Sequence, residues 1–229
     1  MNEKEKQVLK YFSERVTPQR LKKIEQLLPL RTRNVSVVLE DVYQSHNAGA
    51  ILRSCDAFGV QDIHCILGRN EFDIQSKVSQ GAAKWLDISF YSQEPEEVES
   101  PTQYCVDTLK KNGYKIIATS PHATTTLQEL PVNQKLAFMF GTEEEGLSEE
   151  AIGLADETIQ IPMYGFVESF NVSVSVALIL FDITTRLRAS GLEWQLTAEE
   201  QEELKLDWLK NSIDRSDALE KRFLEDLEK

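Results

Sequence analysis

Three short segments put polar side chains where apolar runs end. The first, Glu40-Asp-Val-Tyr-Gln-Ser-His-Asn-Ala-Gly-Ala-Ile-Leu-Arg, places His46 and Asn47 in a loop and Arg53 six residues further on. Six residues is about 1.7 helical turns, so Arg53 stands to the side of Asn47 while still facing one end of a sheet. A lone arginine in an apolar helix is costly to bury unpaired, which leaves either a function or a buried ion pair, with Asp56 the nearby acid. The second segment, Phe140-Gly-Thr-Glu-Glu-Glu-Gly, reads as a buried strand entering a Gly141-x-Glu143-x-x-Gly146 loop. Its glycines allow a sharp turn and a close approach of backbone to ligand. In the third, Ile159-Gln-Ile-Pro-Met-Tyr-Gly precedes a Ser169-Phe-Asn171 tip and an apolar run that ends in Arg186 and Arg188. Strand, turn, polar tip and helix N-terminus is how α/β proteins build small-molecule sites. By itself such a tip is equally the capped start of an ordinary buried helix.

The elements that must position these residues follow from periodicity. Val8, Leu9, Phe12, Leu21, Ile24, Leu27 and Leu28 recur at helical spacing, so residues 3–28 are helical, broken at Thr17-Pro18. Residues 34–40 predict a strand, 47–58 a helix closed by Gly59, and 62–67 a second strand. Strand, helix, strand implies a parallel sheet. A helix over 101–110 leads through Asn112-Gly113 to strands at 114–119 and 135–140. The second of these is almost wholly apolar, as buried parallel strands are. A short strand at 159–162 precedes the helix from Asn171. Residues 197–229 read as a charged helical tail opened by a Thr197–Glu200 capping box, with Trp194 and Trp208 implying that it docks on a surface.

The 229 residues suit one ordinary domain with appendages. No apolar run is long enough to span a bilayer, and the charged start Met-Asn-Glu-Lys-Glu-Lys does not read as a signal peptide. Cys55, Cys65 and Cys105 are expected to be buried free thiols of a cytoplasmic protein, with no zinc site, and His64 and His122 to be structural or surface residues. The net charge of −13 argues against nucleic acid, yet residues 1–33 carry nine Lys/Arg against four Glu. A locally basic arm on an acidic body can still grip a polyanion.

Taken in order, Asn47 and Arg53, then Gly141, Glu143 and Gly146, then Ile161-Pro-Met-x-Gly165 with Ser169-x-Asn171-Val-Ser-Val, resemble the SPOUT methyltransferases. Within these they are similar to the TrmH-like tRNA and rRNA ribose 2′-O-methyltransferases, over roughly residues 31–190. The resemblance implies an α/β fold: a parallel sheet flanked by helices, with a C-terminal deep trefoil knot. Residues 1–30 then form a basic helical arm, 31–190 the SPOUT methyltransferase domain and 191–229 a helical C-terminal extension. The resemblance implies S-adenosylmethionine as cofactor, contacted by Thr119, Gly141, Ile161 and Phe170. It implies a homodimer whose cleft lies between subunits, with no metal. It gives Arg53 the central catalytic place, with Asn47 holding Arg53 or the ribose. Glu143 would position Arg53 or a partner loop, and Ser169 and Asn171 would shape the pocket.

RNA contacts are expected at Arg20, Lys23, Arg31, His46, Arg186 and Arg188. The first 33 residues are too few for the folded N-terminal domain of the ribosomal-RNA enzymes. A short basic arm plus a helical tail is similar to the tRNA guanosine-18 2′-O-methyltransferases, which act in the D-loop. Methylation of ribosomal RNA or of another tRNA site is the alternative; a non-catalytic knotted RNA-binding protein is the alternative of another class. This chain departs from the family in its Glu144-Glu145 pair and in Phe170.

Overall fold

The computed structural model describes residues 1–42, 44–68, 81–92 and 100–227. These form two compact units: residues 32–194, and residues 1–31 together with 195–229. The helices, in chain order, are α1 (Glu3–Ser13), α2 (Pro18–Leu27), α3 (Ser45–Phe58), α4 (Pro101–Lys111), α5 (Glu149–Leu154), α6 (Val172–Ala189), α7 (Ala198–Lys210) and α8 (Ser216–Leu227). The strands are β1 (Val35–Glu40), β2 (Asp62–Ile66), β3 (Asp87–Tyr91), β4 (Tyr114–Thr119), β5 (Thr125–Thr126), β6 (Lys135–Phe140) and β7 (Glu157–Gln160).

In the larger unit the strands make one parallel sheet of order β3-β2-β1-β6-β4-β7-β5. Strand side chains alternate between faces. Val35, Val37 and Leu39 of β1 and Leu136, Phe138 and Phe140 of β6 therefore join Ile51, Leu52 and Cys55 of α3 and Ile179, Leu180 and Ile183 of α6 in one core. Val38, Ala137 and Met139 face the other way, onto Cys105, Val106 and Leu109 of α4 and Ala151 of α5. Burial on both faces explains why these strands are apolar throughout, and each large side chain so buried contributes about 1.5–3 kcal/mol. The chain builds outward from β1 to β2 and β3 on one side, while β6 and β4 lie on the other. The carboxyl ends of β1 and β6 thus flank the point where strand order reverses, which is where open α/β sheets bind ligands.

At the opposite, amino-terminal edge, Arg33 pairs with Asp62 and, at 2.6 Å, with Asp87, while the Tyr114 hydroxyl donates to the Arg33 carbonyl at 2.6 Å. Burial pushes the Asp62 carboxyl up to about 6 despite the guanidinium beside it.

The smaller unit joins both chain termini. Thr17 accepts from the Arg20 amide and Pro18 fills the first turn, which starts α2 where the sequence places it. Phe12, Ile24, Leu204, Trp208 and Leu209 are buried, Tyr11 stacks on Phe223 at 4.2 Å, and Lys205 pairs with Glu25 at 2.7 Å. The basic arm is therefore not electrostatically isolated, because its unit holds 14 Lys/Arg against 15 Asp/Glu.

Several elements differ from expectation. The tail is two helices, α3 starts two residues early, and β3, β5 and α5 have no counterpart in the sequence reading. β3 is an edge strand with Ser89 and Phe90 exposed, so it lacks the continuous apolar run of β1 or β6. The three cysteines are free and buried. His64 is structural: Tyr91 lies 2.9 Å from its Nδ1, and burial lowers its pKa to about 4.

Candidate active site

Three loops at the carboxyl edge of the sheet, those after β1, β6 and β7, converge on one polar node. Asn47, in the first turn of α3, is 4% exposed. Its Nδ2 donates to Glu143 Oε1 at 2.7 Å and to Gln44 Oε1 at 2.8 Å, and its Oδ1 accepts from Asn171 Nδ2 at 3.1 Å. Asn171 Nδ2 also donates to Glu143 Oε1 at 2.5 Å. As the N-cap of α6, Asn171 accepts from the Ser173 amide at 2.9 Å and from its hydroxyl at 2.5 Å. The three polar segments of the sequence therefore share one hydrogen-bonded centre, and the N-termini of α3 and α6 favour the negative charge placed there.

The loop that carries Glu143 is held from two sides. Gly141 has no room for a side chain: a Cβ there would lie 2.0 Å from the Gly146 carbonyl oxygen. Thr142 and Gly146 exchange backbone hydrogen bonds at 3.1 and 3.0 Å, with Gly146 at φ +71°. On the far side Glu40, which ends β1 and is 8% exposed, accepts from the Ser148 amide and hydroxyl, both at 2.8 Å, and from the Thr102 hydroxyl at 3.0 Å. Ser148 in turn caps α5. Sequence reasoning missed Glu40; the available signal was an acid closing an otherwise apolar strand.

Beside this node lies a cavity of about 370 Å³. Its wall brings together Thr119, Gly141, Ile161 and Phe170 with Glu143 and Ser169. The Thr119 hydroxyl donates to the Met139 carbonyl at 2.8 Å, which fixes its side chain. Apolar surface comes from Ile159, Met163, Val172 and Ile179. The wall also includes Ser120, Pro121 and His122, directly after β4; of these the sequence reading considered only His122, as a structural or surface residue. The volume falls in the range of small-molecule sites, and a wall of mixed apolar and polar residues suits an adenosyl group.

Arg53 is not in this wall. It is exposed on α3, and among the described residues no acid or carbonyl pairs with it. The buried ion pair with Asp56 left open by the sequence is thus not formed, since Arg53 stays in solvent. Arg20, Lys23 and His46 are exposed. Arg31 is not available to RNA: it is 3% exposed, with its guanidinium over the Trp208 ring at 5.4 Å. Arg186 is likewise committed to the fold, donating to Asp182 at 2.7 Å and to the carbonyls of Leu130 and Leu127 at 2.6 and 2.9 Å. Arg188 donates to the Phe58 carbonyl at 2.6 Å and lies over Trp194, but the residue remains exposed. Among the described residues no cluster is spaced to hold a metal ion, and no helix is long and apolar enough to cross a membrane.

A row of large apolar side chains is uncovered next to the cavity. Tyr164, Phe166 and Val167 precede α6, and Val174, Leu178 and Phe181 follow along one face of it, exposed by 37% or more. Contiguous apolar surface of this kind marks an interaction site.

Residues 34–181 match the SpoU rRNA Methylase family. A tRNA (guanosine(18)-2′-O)-methyltransferase of Borreliella burgdorferi is 36% identical over 203 residues, covering 88% of this chain and 89% of that protein. The crystal structure of the Aquifex aeolicus TrmH/SpoU tRNA modifying enzyme superposes with a TM-score of 0.72 at 28% identity, over 86% of this chain and 98% of that one. The Streptomyces viridochromogenes SpoU methyltransferase AviRb, solved with the cofactor AdoMet, superposes with a TM-score of 0.59 at 25% identity, over 73% and 62% of the two chains.

Proposed function

Since the chain belongs to the SpoU rRNA methylase family, we propose that it uses S-adenosylmethionine to methylate the ribose 2′-hydroxyl of guanosine-18 in the D-loop of tRNA. The observation that carries this reading is the cavity walled by Thr119, Gly141, Ile161 and Phe170 and closed by the Asn47–Glu143–Asn171 node. The names of the relatives favour tRNA over the ribosomal-RNA and non-catalytic alternatives.

S-adenosylmethionine supplies an electrophilic methyl group on a positively charged sulfur. The protein's part is to hold the ribose hydroxyl in line with it, because positioning accounts for most of such a barrier. Asn47, Glu143 and Asn171 fix the loops around the cavity relative to one another, and Ser169 shapes its mouth. Arg53 contributes a guanidinium cation, a donor and not a general base. Its free guanidinium clamps an RNA phosphate and the oxygen on which charge develops as the hydroxyl attacks. That it has no partner among the described residues supports a place in a cleft between two subunits.

The exposed Val174–Leu178–Phe181 row supports a homodimer formed along α6. β7 pairs with β4 on one side and β5 on the other, although β4 and β5 precede it in the chain. That order supports a threaded C-terminal segment, the deep trefoil knot. Residues 31–190 act as the methyltransferase domain. Arg20 and Lys23 of the arm and His46 beside the node face the RNA, with Arg188 contributing its exposed edge. The enzyme works in the cytoplasm and needs no metal.

The test is methyl transfer from labelled S-adenosylmethionine to unmodified tRNA transcripts, followed by mapping of the product nucleotide. A 2′-O-methyl group at guanosine-18 that is lost in Arg53→Ala supports the reading. Transfer to another nucleotide, or none to any tRNA, overturns it.

A further inference from the structure

The cavity wall is charged with one sign. Glu143, Glu144, Glu145 and Glu168 line it, and among the described residues no lysine or arginine does. Glu143 is engaged by Asn47 and Asn171, whereas among the described residues no cation pairs with the other three. The carboxylates do not converge on a point where a metal ion could be ligated. They act together as a field over the mouth of the cavity. Glu144 and Glu145 lie side by side inside the Gly141–Gly146 loop.

We propose that this acidic wall makes the site discriminate by ligand charge, holding the methylated sulfonium more tightly than the uncharged thioether left after transfer. The inference rests on the S-adenosylmethionine reading of the cavity. In the transfer the ribose oxygen bonds to the methyl carbon, the carbon–sulfur bond breaks with its electron pair staying on sulfur, and the hydroxyl proton passes to solvent. The ligand thereby loses one positive charge while the wall keeps its carboxylates. Completion of the reaction removes part of what held the ligand, so the product leaves in favour of fresh cofactor. Because the carboxylates are exposed, salt screens the effect, with a Debye length of about 10 Å at 0.1 M and about 3 Å at 1 M.

Calorimetric titration of the full-length protein with S-adenosylmethionine, S-adenosylhomocysteine and sinefungin tests this, at pH 8 in low and in molar salt. Sinefungin carries an amine in place of the methylsulfonium, so it is cationic but cannot react. The expectation at low salt is that both cationic ligands bind about tenfold tighter than S-adenosylhomocysteine, about 1.4 kcal/mol in all, within what several solvent-screened unit charges supply together. In molar salt the ratio falls to about threefold or less, as the shorter Debye length requires. In the triple variant Glu144→Gln, Glu145→Gln, Glu168→Gln it falls similarly at low salt, without loss of S-adenosylhomocysteine affinity. Glu145→Gln alone, which changes one exposed side chain, should move the ratio in the same direction and serves if the triple variant does not fold. A ratio equal in wild type and variants, or near unity in wild type, overturns the proposal while leaving the cofactor reading intact. Failure of all three ligands to bind wild-type protein overturns the cofactor reading as well.

Discussion

Replacing Gly141 by alanine is the sharpest perturbation of the site, because one methyl group meets backbone on which the cavity depends. The new Cβ would lie 2.0 Å from the Gly146 oxygen and 2.3 Å from the Leu147 nitrogen. Ordinary contact requires a retreat of about 1 Å or more, and the atoms that must retreat are main-chain atoms rather than a flexible side chain. Retreat breaks the paired Thr142–Gly146 hydrogen bonds, worth about 0.5–1.5 kcal/mol each. Residual overpacking adds about 1–3 kcal/mol. The total, roughly 2–6 kcal/mol, exceeds what the six-residue Gly141–Gly146 loop, exposed from Glu143 to Gly146, can resist. The loop should open locally while the sheet stays folded. Glu143 then leaves Asn47 and Asn171, and the cavity loses one wall. Loss of about 2 kcal/mol from the binding-competent state weakens S-adenosylmethionine about thirtyfold. Calorimetric titration measures this directly, alongside thermal melting. Affinity within threefold of wild type would refute the argument that this close approach shapes the cavity.

Arg53→Ala should abolish most methyl transfer, by a hundredfold or more, as loss of one preorganised charge does. Its melting temperature should stay unchanged because the side chain is exposed and unpaired, and a clear drop in melting would instead give Arg53 a structural role. Leu178→Asp, in the uncovered face of α6, should yield monomers by light scattering and lose activity, whereas an unchanged mass would remove α6 from the interface. Asp62 gives a pH signature with a defined sign. Its native pKa is raised from 3.8 to about 6, so the folded state binds the proton more tightly and gains stability as pH falls through 6, the gain being complete below 3.8. The full shift corresponds to on the order of 3 kcal/mol. Denaturant titrations should therefore show wild type gaining on Asp62→Asn between pH 7 and 4.5, and a constant difference would contradict the burial of this carboxyl.

The parts of the fold that could be read from sequence are those whose signal is local. β1 and β6 are buried on both faces and are apolar throughout, and α2 is fixed by Thr17 and Pro18. The site residues Asn47, Glu143 and Asn171 could be read because each ends an apolar run, but that they meet at one oxygen of Glu143 is a matter of strand order. Parallel neighbours such as β1 and β6 are about a hundred residues apart in sequence, and no periodicity reports such pairings. Arg31 and Arg186 mislead for the opposite reason. Their type suggests phosphate, yet Arg31 packs on an indole and Arg186 satisfies two backbone carbonyls and a neighbouring carboxylate, roles that composition does not distinguish. Glu40 shows the same limit, since its three donors come from α4 and from the end of the Glu143 loop.

The smaller unit is assembled from the first and last parts of the chain, and this sets a schedule during synthesis. α1 and α2 leave the ribosome first, but α7 and α8, which help bury Val8 and Phe12, leave last. At about 5–20 residues per second, translation keeps the arm waiting for roughly 10–40 seconds. For that interval an amphipathic, positively charged helix pair is displayed on the nascent chain beside ribosomal RNA, with its apolar face uncovered. Moving the helical tail ahead of α1 by circular permutation would remove the wait, with loss of the Met1 ammonium's 2.8 Å contact to Glu199.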